Sequence, residues 1–226
     1  MDLETYKKTY SGDDEAAPGW DAIDARLATI YGDREPDSHF GTVIKFMLGG
    51  PDPIDGVSIY KRDTPAPHLH YVSYGMSSLY YDEDSVGGEF SKWGFEFSFR
   101  LAVEQDAMPK NDDEMPVWPI NLMQNLARYV YQNEKWFEDG HFLKTNGPIE
   151  ANGETAMRGL LFSLDPELGS ANTPHGKVDF LQLVGITEAE ALHLYDTPDR
   201  VATLVEALKA ASPLMVTDMA REKELL

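Results

Sequence analysis

The segment WGFEFSFRLAV, residues 93–103, restricts this chain more than any other. Trp93, Phe95, Phe97, Phe99 and Leu101 alternate with Gly94, Glu96, Ser98 and Arg100. A period of two is the mark of a strand, because successive side chains leave opposite faces of the pleat. One face therefore carries rings and must be covered. The other carries charge and is expected to be wetter.

Other runs rich in β-branched and aromatic residues read as further strands. TVIKFMLGG (42–50) reads as a mostly buried strand ended by two glycines, and VSIYK (57–61) and HYVSYG (70–75) as two more. MRGLLFSLD (157–165) and KVDFLQLVGIT (177–187) follow late in the chain, with PLMVTDM (213–219) as a short last strand.

Helical spacing occurs between these runs. Pro18 opens a helix in which Trp20, Ile23, Leu27, Ile30 and Tyr31 form the apolar stripe and Gly32 is the stop. Pro119 opens a second, through Phe137, with Leu122, Leu126, Val130 and Trp136 on its stripe and Gly140 as its stop. Thr187 with Glu190 forms a capping-box pattern, and Thr197–Pro198 starts a last helix carrying Val201, Leu204, Val205 and Leu208. Residues 105–115 read as a surface loop and GHFLKTNGPIEANGE (140–154) as turn chemistry.

Strands come early, helices interrupt them and strands return late, without strict βαβ alternation. The expected fold is α+β (mixed α/β): a central twisted, mixed but mainly antiparallel sheet with helices packed on it. Residues 1–17 are polar and acidic and are expected to form a flexible segment, followed by a single domain over 18–226.

Charge bounds the partners. A formal net charge of −20 repels nucleic acid and anionic membranes and favours a basic protein partner. The absence of cysteine removes disulfides, thiolate metal sites and thiol nucleophiles. No apolar run has the length of a membrane span, and the N-terminus lacks a signal-type apolar core. A cytoplasmic protein is the expectation. Oligomeric state is not encoded in any pattern.

His68 and His70 stand two apart in a strand-like run, so both imidazoles share a face on which a metal could sit. A third ligand would have to come from Asp63, Asp82 or His39 through folding. The alternative is that both histidines hydrogen-bond within the sheet. Two ligands fall short of a stable site, so neither metal nor cofactor is expected. GGPDPIDG (49–56) resembles a phosphate loop but lacks its lysine and its glycine spacing, and reads as a rigid turn. No serine sits in a G-x-S-x-G elbow, and no carboxylate pair is set apart by its surroundings. An enzyme is not expected.

Several blocks in order resemble the Suppressor-of-fused family. They include LGGPDPIDGVSIY (48–60), HLHYVSYGMSSLYYD (68–82), GFEFSFRL (94–101), WPINLMQNLARYVYQNEKWF (118–137) and TPHGKVDFLQLVGIT (173–187). The resemblance is to the N-terminal domain of the animal proteins. It implies a mixed α/β domain that binds other proteins and catalyses nothing. Single-domain bacterial relatives imply an immunity-type inhibitor that binds and masks a toxin. The alternative is a regulatory scaffold that captures an extended peptide by sheet-edge addition. By motif position, the resemblance implies Tyr71 and Asp82 as partner-binding residues.

Overall fold

The ring-bearing strand lies at the centre of one sheet. A computed structural model describes residues 1–151 and 153–226. Its strands are β1 (Ser38–Gly41), β2 (Gly56–Arg62), β3 (His68–Tyr74), β4 (Phe90–Ala102), β5 (Phe142–Lys144), β6 (Met157–Leu164), β7 (Ser170–Thr173) and β8 (Gly176–Thr187). Their order is β1-β2-β3-β4-β8-β6-β5, with β7 paired to β8. Only the central β4–β8 pair is parallel among the described residues; the other pairs are antiparallel. The expected mixed, mainly antiparallel sheet is the observed one.

Helices are α1 (Leu3–Tyr10), α2 (Pro18–Tyr31), α3 (Trp118–Asn133), α4 (Glu188–Asp196) and α5 (Val201–Ala211). Alternation sorts the core. Phe95, Phe97 and Phe99 of β4 join Leu69 and Tyr71 of β3 and Leu181 and Leu183 of β8 under α3, which contributes Met123, Ala127 and Val130. On the opposite face, α2 packs Ile23 and Leu27 on Tyr60, Val72 and Phe180. There α4 and α5 cover Leu161, Val184 and Ile186. Both faces of the sheet are thus covered, and the polar face of β4 is not wet. Glu96, Ser98 and Arg100 are all fully buried.

Several expectations need correction. The segment 42–50 is not a buried strand. The chain curls into a single turn (Phe46–Leu48), with Thr42 N bonded to Asp55 O and Phe46 N to Asp55 Oδ1. Those bonds close a loop, leaving Val43, Ile44, Met47 and Leu48 exposed. The short strand β1 precedes it instead. The segment 1–17 is not uniformly loose: α1 is capped by Asp2, and Tyr6 is buried with its hydroxyl 2.8 Å from His175 Nε2. The second helix stops at Asn133, where Glu134 takes a left-handed conformation (φ 53°). The stretch expected to be turns contains β5; its Asn152 lies outside the described residues. PLMVTDM contributes a bridge from Thr217 to Leu101 rather than a strand. The capping box at Thr187–Glu190 forms as read.

Candidate functional site

The residues with the most reactive side chains sit in the interior. His68 and His70 share a face of β3, as alternation requires, and meet Arg100 of β4 there. Asp165, just past β6, accepts from Arg100 Nη2 at 3.1 Å, Ser98 Oγ at 2.8 Å, and the Glu167 and Leu168 amides at 2.9 Å each. Arg100 Nη2 also lies 2.9 Å from Glu167 Oε2, and its Nη1 is 3.3 Å from His68 Nε2. His68 Nδ1 lies 2.7 Å from the Ala66 carbonyl, and His70 Nδ1 lies 2.6 Å from the Tyr31 hydroxyl of α2. His70 Nε2 is 3.3 Å from Asp165 Oδ2 without the alignment of a hydrogen bond.

Burial, helped by the Arg100 charge, pushes the His70 imidazole down to about 4. Burial likewise takes His68 to about 4. Both rings are neutral at pH 7. Burial alone would raise Asp165, but the His70 contact and the Arg100 guanidinium outweigh it and hold this carboxyl well below its usual range. This arrangement is a buried ion pair in which the Asp165 carboxylate is fully bonded, while Arg100 Nε and His70 Nε2 have no hydrogen-bond partner among the described residues. The imidazole nitrogens point at protein groups, and no group of three or more metal-ligating side chains occurs among the described residues. The geometry holds the sheet to α2 through His70 and Tyr31.

Tyr71, one of the two proposed contact residues, is fully buried in the core under α3. Its hydroxyl donates to the Pro116 carbonyl at 2.9 Å. Its side chain lies beneath the surface of the free chain rather than on it. Asp82 is exposed, but its carboxylate caps its own loop through Asp84 N and Ser85 Oγ. The structure separates the two residues into core and surface.

Surface chemistry of another kind lies around the segment Glu134–His141. An apolar groove of about 380 Å³ is walled by Phe90, Trp93, Phe95, Trp136 and Phe137. Trp136 is 55% exposed and Phe90 50%. The groove's shape comes from a bulge in β4 between Phe90 and Phe95, where Lys92 (φ 54°) and Gly94 (φ 81°) take left-handed conformations. A Cβ at Gly94 would stand 3.3 Å from the Phe90 side chain, so glycine suits both the angle and the space. Phe137 stacks on Phe162 at 4.0 Å, which fixes the wall to the core. Glu138, Asp139 and Asp179 lie at the rim, Asp179 paired with Lys177 at 2.8 Å, while the Lys92 ammonium is turned onto the Gly75 carbonyl and the Tyr131 ring.

The same segment runs directly into β5, a sheet edge. Thr145 N bonds inward to Arg158 O at 2.9 Å, whereas Lys144 N turns outward, where the Tyr195 hydroxyl takes it at 3.3 Å. Alternation then leaves the amide and carbonyl of Phe142 on the outward side as well. At the other edge, Ser38 of β1 is buried and its hydroxyl is held by Asp112. The sequence reading missed both the groove and the edge. Helical spacing carries through Trp136 although the helix ends at Asn133, and a three-residue strand is too short to show a period. No described helix is long and apolar enough to cross a membrane.

Residues 50–222 match the sequence profile described as Suppressor of fused protein (SUFU). The chain is 36% identical over 217 residues to the Suppressor of fused homolog of Homo sapiens, covering 90% of this chain and 43% of that protein. It therefore spans less than half the length of that relative. Among solved structures, a chain from the Sufu–Fu complex superposes with a TM-score of 0.83 at 30% identity, covering 93% of each chain. A putative SUFU homolog from Neisseria gonorrhoeae gives a TM-score of 0.57 at 16% identity over 92% of this chain and 97% of that one, a likeness of fold alone.

Proposed function

This chain belongs to the Suppressor of fused family, and from that premise we propose that it is a non-enzymatic protein-binding domain. It takes an extended, basic segment of a partner along the open side of β5, with an apolar side chain in the neighbouring groove. The observation that carries this reading is the outward backbone of β5 lying next in sequence to exposed Trp136 and an acidic rim. A strand added there gains main-chain hydrogen bonds, and the groove supplies specificity. The net charge of −20 speeds encounter with a basic partner. No bond is made or broken in this mechanism, and the partner is occluded where it is held.

The relative in the Sufu–Fu structure is a complex with another protein, which supports binding as the activity. The purpose we assign is masking, with a toxin as the masked partner; the overall charge favours this reading, since a basic partner suits it. Capture of a regulatory peptide would use the same edge. A pull-down from the source cell, with the partner identified and then expressed as a toxin challenge, tests both. Recovery of a stoichiometric partner that Lys144→Pro releases supports the binding site. Rescue of challenged cells supports masking, and binding without rescue supports peptide capture. Absence of any stoichiometric partner overturns the proposal.

A further inference from the structure

A second concavity lies between α2 and the β1–β3 end of the sheet, independent of the groove and β5. It encloses about 430 Å³, with Trp20, Tyr31, Tyr60 and Tyr74 in its walls. The rings are fixed in pairs: Tyr31 stacks on Tyr60 at 3.8 Å and Trp20 on Tyr74 at 4.2 Å. Asp24, Asp33 and Glu35 also line it. Arg34 is the single Lys or Arg in the lining, and it is turned away, its guanidinium held by Asp37 and the Lys61 carbonyl. None of the three carboxylates has a salt-bridge partner among the described residues.

The hydroxyls differ in a way that points to a ligand. Tyr31 is 2.6 Å from His70 Nδ1, and Tyr74 donates to Asp24 Oδ1 at 2.7 Å. Tyr60 is only 5% exposed and lines the cleft, yet its hydroxyl has no partner among the described residues. Burial, with the charges of Asp24 and Glu35 nearby, pushes its phenol up to about 12, so it is an intact O–H at pH 7. The hydroxyl opens into the cleft, where it is free to bond a ligand in place of water. Burial also raises Asp24, as expected of a carboxylate short of cations.

An anion is excluded by the three carboxylates. The acceptors are spread over separate elements, α2, the loop after it and β2, and the walls are flat rings. A planar group with five N–H donors matches that set better than a point-like ammonium. We propose that this cleft binds a guanidinium cation, held by Asp24, Glu35 and the Tyr60 hydroxyl between the aromatic walls.

The test is an NMR titration of the full chain with ethylguanidinium, with N-acetyl-arginine amide, and with N-acetyl-citrulline amide as the uncharged isostere. Saturable shifts of the Trp20 and Tyr60 resonances are expected with the guanidinium probes, and at least roughly tenfold weaker binding of citrulline. Equal binding of the two cations marks a free small molecule as the source, and tighter binding of the arginine amide marks a peptide side chain. Glu35→Gln, on an exposed loop, should weaken binding about threefold to tenfold. Tyr60→Phe, which keeps the ring stacked on Tyr31, should do the same. The proposal is overturned by no saturable shift with either cation, by equal binding of citrulline, or by both variants binding like the parent.

Discussion

The cluster around Arg100 and the surface around β5 are opposites. The first gathers two histidines, an arginine and an aspartate, the residue types from which active sites are made. All four are fully buried and bonded largely to one another and to their neighbours, with His70 Nε2 and Arg100 Nε left without a hydrogen-bond partner among the described residues. The second gathers rings and backbone amides, with little reactive chemistry, near the surface, where the Lys144 amide meets only the Tyr195 hydroxyl. Residue type alone would have placed function at the first. Access to the surface is why the proposed function is placed at the second.

This contrast can be broken from either side. The largest effect is expected from Asp165→Ala, which takes from Arg100 its fully buried partner and leaves Glu167, part-exposed, as its one carboxylate among the described residues. Removing one partner of a buried pair costs about 3–5 kcal/mol. Denaturant unfolding should show that loss, while partner affinity of the remaining folded protein stays unchanged. Next comes Lys144→Pro. It removes the outward amide of β5 and an exposed pair with Glu188, but leaves the inward ladder to β6 intact. Partner affinity should fall roughly tenfold to a hundredfold, with stability changed by about 1 kcal/mol or less.

A smaller, pH-dependent effect separates the regions again. His68 and His70 have folded values of about 4 against 6.5 for an unperturbed imidazole. The unfolded chain therefore binds more protons between those values. The contribution of these rings to stability is present above pH 6.5 and is lost as the pH falls towards 4. Asp165, held low in the fold, adds its own loss only below the ordinary carboxylate range. NMR titration should show both rings still neutral at about pH 5; titration near 6.5 would mean that the cluster is open to water. The smallest effect is that of Tyr71→Phe, which deletes one hydrogen bond to Pro116. About 1 kcal/mol of stability should go, with no change in binding.

The sheet and its helices were legible because their signals are local. The rings of β4 announce a strand, Thr187 and Glu190 announce a helix start, and both form. Whether the polar face of β4 was wet could not be read. That depends on α2 and the Asp165 segment, far away in sequence, arriving to cover it. Val43 and Ile44 failed for the converse reason. Their apolarity signals burial, but bonds to Asp55 hold them in a surface loop. The site was least legible. Tyr71 sits in a family block because the core needs it, and a motif position does not distinguish packing from contact. The edge at β5 is a property of strand order, which no run of residues states.

The central claim is that a partner strand adds to β5. Hydrogen exchange on the complex with the captured partner reads it directly. The outward amides of Phe142 and Lys144 should gain protection, with slowed exchange of the Trp136 indole, while the Asp82 loop and β1 stay as in the free protein. Protection confined to the Asp82 loop or to β1, with β5 unchanged, would contradict it.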